Sequence, residues 1–174
     1  MDRHLEPPLL KTYQELSPEE QAVVQKEIVA ITKLEPNLSK RTAAEIFTDP
    51  KTTPFVILKE NQLASFILHT TLSPTLVELH CLYTKPAFRG QKLSDLLIRH
   101  SMRDKEKTYI AATFLEHIGH MLQGYGFQEV PLKKLSLPHL WSFVRPRFSI
   151  HRLREVLRHR QKSPLHLFIK KPCL

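Results

Sequence analysis
The chain has 174 residues, enough for one sizeable core and short for two, so a single domain is expected. Its apolar fraction of 41% and charged fraction of 25% are those of an ordinary globular protein, and no apolar run approaches the ~20 residues a membrane helix needs. The net charge of +9 is unevenly placed: residues 131–174 hold eleven Lys and Arg against Glu155 alone, a local +10 that leaves −1 for the rest.

Met1–Pro8 lacks the basic-then-apolar layout of a secretory signal and carries two acids, so a cytoplasmic location is expected. Residues 1–14 read as a tail and 15–174 as the domain. Ser17-Pro18-Glu19-Glu20 is a helix start, with Ser17 as cap, Pro18 at the first helical position and Glu20 closing a capping box. Val23, Val24, Ile28 and Ile31 follow at helical spacing, and a shorter helix is predicted from Ser39 through Phe47. Strands are predicted at 54–58 and 63–68, joined as a hairpin through Lys59-Glu60-Asn61-Gln62, and at 75–83.

Beyond Lys85-Pro86-Ala87-Phe88-Arg89-Gly90, the spacing of Leu93, Leu96, Leu97 and His100 predicts a helix packed on the sheet. A buried strand at 108–113 and a helix bearing Leu115, Ile118 and Leu122 come next, the helix stopping at Gly124-Tyr125-Gly126. Strands at 127–130 and 164–170 bracket a long basic insertion, 131–163. Its Trp141 and Phe143 read as anchors to the core, and Ser149 as the cap of a helix carrying Ile150, Leu153, Val156 and Leu157. The expected class is α/β (α+β): a mixed, mostly antiparallel sheet of six to seven strands, helices on both faces, and a basic helical insertion before the last strand.

A strand, a tight glycine turn and a helix opening near Lys92 gather unpaired backbone N–H groups at the positive end of a helix dipole. Such a point suits a diphosphate, to which Arg89 adds a charge-assisted contact. The stretch Leu82-Tyr83-Thr84-Lys85-Pro86-Ala87-Phe88-Arg89-Gly90-Gln91-Lys92-Leu93-Ser94 resembles the pyrophosphate-binding motif of the GNAT superfamily, Arg/Gln-x-x-Gly-x-Gly/Ala between a strand and a helix. Leu122-Gln123-Gly124-Tyr125-Gly126-Phe127 resembles that family's Gly-Phe signature. The likeness spans about residues 15–130.

The resemblance implies an N-acyltransferase that moves an acetyl or short acyl group from acetyl-CoA, or another acyl-CoA, to an amine acceptor, small molecule or protein. Arg89, Gly90, Gln91, Lys92, Leu93 and Ser94 would then hold the pyrophosphate, and the backbone of Leu82, Tyr83 and Thr84 the pantetheine arm as an added strand. Lys92 and Ser94 stand where the family keeps small residues. Glu78 and His80 project to one strand face, and either can serve as general base. Many members use a tyrosine where this chain has Leu122 to protonate the leaving thiolate, which leaves Tyr125 as the candidate acid.

Two other readings stay open: a non-catalytic acyl-CoA sensor, and a nucleic-acid binder using the cluster Arg145, Arg147, Arg152, Arg154, Arg158, Arg160 and Lys162. His117 and His120 lie at metal-ligand spacing without a third partner, so no metal is expected. Cys81 reads as a buried thiol and Cys173 as part of the tail.

Overall fold
The computed structural model describes residues 9–131, 134–135, 138, 141, 143 and 165–172. The basic cluster 145–162, the helix expected after Ser149, and Cys173 lie outside the described residues. The elements in chain order are β1 (Leu9–Thr12), α1 (Pro18–Leu34), β2 (Thr52–Lys59), β3 (Gln62–Ser73), β4 (Leu76–Thr84), α2 (Leu93–Ser101), β5 (Thr108–Thr113), α3 (Glu116–Gly124), β6 (Gln128–Glu129) and β7 (His166–Lys170). They form a mixed α/β structure with a seven-stranded, mostly antiparallel sheet in the order β1-β2-β3-β4-β5-β7-β6. The pair β4–β5 is parallel, while β1–β2, β5–β7 and β6–β7 are antiparallel.

The described residues fall into two compact units, 9–69 with 81–101, and 70–80 with the described residues from 102 onward. In the first, α1 begins as its sequence dictates: Glu20 N–H donates to Ser17 Oγ at 3.2 Å, and Ser17 N–H to Glu20 Oε2 at 2.8 Å. Val24 and Ile28 then enter a core with Ile46, Val56, Leu63, Phe66, Leu68 and Cys81. Val23 faces solvent instead, as does Leu96 of α2. The hairpin between β2 and β3 turns on Glu60 (φ 50°) and Asn61 (φ 59°), the left-handed pair of a two-residue turn whose twist matches the flanking strands.

Residues 9–12, assigned to a tail from sequence, instead form an edge strand paired from Leu9↔Leu58 to Thr12↔Phe55. Leu9-Leu10-Lys11-Thr12 shows no apolar–polar alternation, because main-chain pairing holds an edge strand whatever its side chains. The helix expected from Ser39 is reduced to one wide helical turn, Ala44–Thr48, closed by Asp49 N–H donating to Ala44 O at 3.1 Å.

In the second unit Leu76, Ile110, Leu135, Phe143, Leu167 and Ile169 share a core. Phe143 is therefore an anchor, whereas Trp141 is exposed. The end of α3 is a Schellman closure, with Gly126 N–H donating to Gln123 O and Phe127 N–H to Leu122 O. Gly126 takes the left-handed conformation this requires (φ 83°).

Candidate functional site
β4 carries most of the residues singled out from sequence. Glu78 is buried, and His80 is half-buried with its Nε2 2.8 Å from Thr70 Oγ1. The register of β4 with β5 runs from Leu76↔Thr108 to Leu79↔Ala111 and ends there. Two residues later Cys81 adopts φ 53°, a left-handed conformation that costs a non-glycine residue about 1–3 kcal/mol. Its thiol points into the core of the first unit and lies 3.9 Å from Ser39 O. A left-handed residue inside a strand breaks the pleat and re-aims the residues after it. Sequence alone identified Cys81 as buried but carried no sign of this kink.

Leu82, Tyr83 and Thr84 come directly after it, each half-buried. The Tyr83 hydroxyl donates to Glu35 Oε1 at 3.1 Å, and its ring lies 6.0 Å from that of Phe66. Burial, then the Glu35 carboxylate, push the Tyr83 phenol above its usual range. Its carbonyl accepts from Ser65 Oγ at 2.7 Å; Ser65 Oγ is 2.8 Å from Thr84 Oγ1, which is in turn 2.9 Å from Ser94 Oγ. Ser65 is fully buried. Its one sequence signal is a hydroxyl inside the apolar run Leu63–Leu68.

After β4, Phe88 N–H donates to Lys85 O at 2.9 Å and Arg89 N–H to Pro86 O at 3.3 Å, making a tight turn. Gly90 (φ 80°) and Lys92 (φ 57°) are both left-handed, and α2 starts at Leu93 with Leu96 N–H donating to Lys92 O at 3.1 Å. Among the described residues, none accepts a hydrogen bond from the backbone N–H of Gly90, Gln91, Lys92, Leu93 or Ser94. Five such donors at a helix start, where the dipole is positive, are chemically suited to meet an anion, and the stretch is called the amide cradle below.

Of the two residues that replace small ones, Lys92 is exposed, and the Ser94 hydroxyl is turned to Thr84. A Cβ built on Gly90 meets nothing within 4 Å, so the approach there is open. Leu93 is buried and can contribute only its amide. Arg89 is exposed, its Nε making a long 3.4 Å contact to Thr84 O, and Gln91 Oε1 accepts from Lys59 Nζ at 2.5 Å.

In the second unit, half-buried Tyr125 caps α3, and its carbonyl accepts from Lys170 Nζ at 2.7 Å. Leu122 is buried. His117 and His120 are exposed, and among the described residues no three His, Cys, Asp or Glu side chains are grouped to hold a metal ion. No described helix is long and apolar enough to cross a membrane.

No family model matches the sequence, and no curated protein matches it. Solved structures do. An acyl-CoA N-acyltransferase from Pseudomonas aeruginosa superposes with a TM-score of 0.61 at 13% identity, covering 94% of this chain and 98% of its own. An acetyltransferase of the GNAT family from Staphylococcus aureus gives 0.58 at 12%, covering 93% and 98%. A Mycobacterium tuberculosis protein in complex with CoA gives 0.62 at 13%, covering 86% and 96%. The chain has the GNAT fold.

Proposed function
We propose that this protein is an N-acyltransferase that moves an acetyl or short acyl group from acyl-CoA to an amine. The observation that carries the reading is the run of acceptor-free N–H groups from Gly90 to Ser94, placed after β4 in a GNAT fold. These residues fit a pyrophosphate: the amides supply donors, Gly90 leaves space, and Arg89 adds an exposed cation next to them in the chain. The backbone of Leu82–Thr84, past the last β4–β5 pair, supplies an edge for the linear pantetheine arm.

In the reaction the amine nitrogen attacks the thioester carbonyl carbon. A base takes the proton the nitrogen sheds, the carbon–sulfur bond breaks, and the thiolate leaves with a proton. Glu78 and His80 are the candidate bases, acting directly or through one water. His80 has the more accessible ring, and its Thr70 contact fixes the ring's orientation. Tyr125 is the candidate acid, since buried Leu122 has no proton to give.

Calorimetry with acetyl-CoA, followed by a thiol-release assay over an amine panel, tests the proposal. Saturable heat and amine-dependent thiol release support it. Heat without thiol release would make the protein an acyl-CoA sensor, and no heat would remove both readings. Salt-sensitive binding to duplex DNA would then favour the basic segment 145–162 as a nucleic-acid contact.

A further inference from the structure
The hairpin of β2 and β3 brings a second cation to the amide cradle. Lys59 is the last residue of β2, and the left-handed pair Glu60 and Asn61 follows it directly. Its Nζ donates to Gln91 Oε1 at 2.5 Å. Gln91 is itself one of the residues of the cradle, and its side chain spans only a few bonds. The Lys59 ammonium therefore stands within about 9 Å of the Gln91 backbone N–H. Lys59 is half-buried, Gln91 is exposed, and the contact between them lies at the surface, where a ligand can reach it.

The chemistry of the contact matters as much as its place. In the same unit Lys11 pairs with Glu20, Lys85 with Glu27, and Arg99 with Asp95, so each of those charges meets an opposite one. The partner of Lys59 is a neutral amide oxygen. That oxygen takes one of the ammonium's donors and none of its charge. A carboxylate at the same position would cancel the charge and repel an anion; a glutamine holds the ammonium beside the cradle and leaves its field intact. The phosphates of CoA carry several negative charges, against which a helix start supplies about half a positive charge and Arg89 one more. A further cation from another strand reduces that imbalance.

Resting on the acyltransferase reading, we propose that Lys59 is a cofactor-binding residue, whose ammonium contacts the phosphates of acyl-CoA at the cradle. The end of β2 then joins the cofactor site, and Gln91 holds the ammonium in place when no phosphate is there. Lysine suits this task as a compact charge with several donors and no need of a fixed fork geometry.

The test is calorimetry of acetyl-CoA with the full chain, Lys59→Gln and Lys59→Arg over a range of salt. Lys59→Gln should weaken binding about tenfold at low salt, the loss of one charge-assisted contact. The gap should narrow as salt rises, because an exposed charge is screened, and Lys59→Arg should recover most of the affinity. The 3′-dephospho form of acetyl-CoA assigns the phosphate. A loss that persists on it places Lys59 at the pyrophosphate, and a loss confined to acetyl-CoA places it at the 3′-phosphate; both uphold the inference. Unchanged affinity in Lys59→Gln, or a loss that persists at high salt or in Lys59→Arg, would overturn it. Failure of acetyl-CoA to bind the unsubstituted protein would end the acyltransferase reading instead. Inorganic pyrophosphate would then decide on Lys59: low-salt heat that disappears in Lys59→Gln would uphold it as a phosphate contact, and heat absent or unchanged would overturn it.

Discussion

Ser94 Oγ lies 2.9 Å from Thr84 Oγ1, so a hydroxyl that could face the amide cradle is turned back onto the strand before it. Through Ser65 the contact continues to the Tyr83 carbonyl, tying β3, the end of β4 and the first turn of α2 together. Ser65→Ala leaves a buried carbonyl and hydroxyl short of a partner and should cost about 1–3 kcal/mol in denaturant unfolding. Ser94→Ala, at the half-buried end, should cost less than about 1 kcal/mol and keep acetyl-CoA affinity. A Ser94→Ala loss larger than that of Ser65→Ala would contradict this ordering.

Lys92 and Gly90 share left-handed backbone, yet only one of them is glycine. Gly90→Ala adds a Cβ that touches nothing but is strained by its own backbone, a cost of about 1 kcal/mol. Lys92→Gly should relieve strain and raise stability by up to about 1 kcal/mol, net of the greater entropy glycine gives the unfolded chain. Thermal unfolding of the two variants should move in opposite directions.

Packing sets a third expectation. A Cβ on Gly119 of α3 would stand 2.7 Å from Phe168 Cζ, and Phe168 is buried. Gly119→Ala should therefore destabilise by about 1–2 kcal/mol, overpacking outweighing the better helix propensity of alanine. A stability gain would mean that the ring has room to move.

The start of α1 makes stability depend on acid. The Ser17 N–H, and then Lys11, hold the Glu20 carboxyl below its usual 4.5. A carboxyl with a lowered folded pKa stabilises above its unfolded value, and that contribution disappears as pH falls through the lower folded value. Unfolding followed from pH 6 down to pH 3 should show this loss below about 4.5, and Glu20→Gln should flatten that part of the profile.

Catalytic assignment is separable from folding. Glu78→Gln and His80→Ala should differ in turnover, with the true base costing about a hundredfold or more in kcat. Acetyl-CoA affinity should be unchanged in both. Full turnover in both would remove β4 as the source of the base.

Local chemistry was legible in the sequence where it acts over a few residues. Ser17 and Glu20 announce the start of α1, and Gly124-Tyr125-Gly126 the end of α3, because caps depend on residues three to five apart. The turn before α2 was legible from Gly90. The edge strand Leu9–Thr12, the kink at Cys81 and the left-handed Lys92 were not, since each is imposed by surrounding structure against the preference of the residue. The Ser65–Thr84–Ser94 chain and the Thr70–His80 contact join residues 10 to 19 apart through strand pairing and helix docking, and no spacing rule predicts them.

The most direct measurement tracks the backbone amide resonances of Gly90, Gln91, Lys92, Leu93 and Ser94 by NMR during titration with acetyl-CoA. Saturable shifts at these amides, with the same midpoint as the calorimetric heat, are expected. Acetyl-CoA that leaves them unmoved, or perturbs only residues 145–162, would contradict the account.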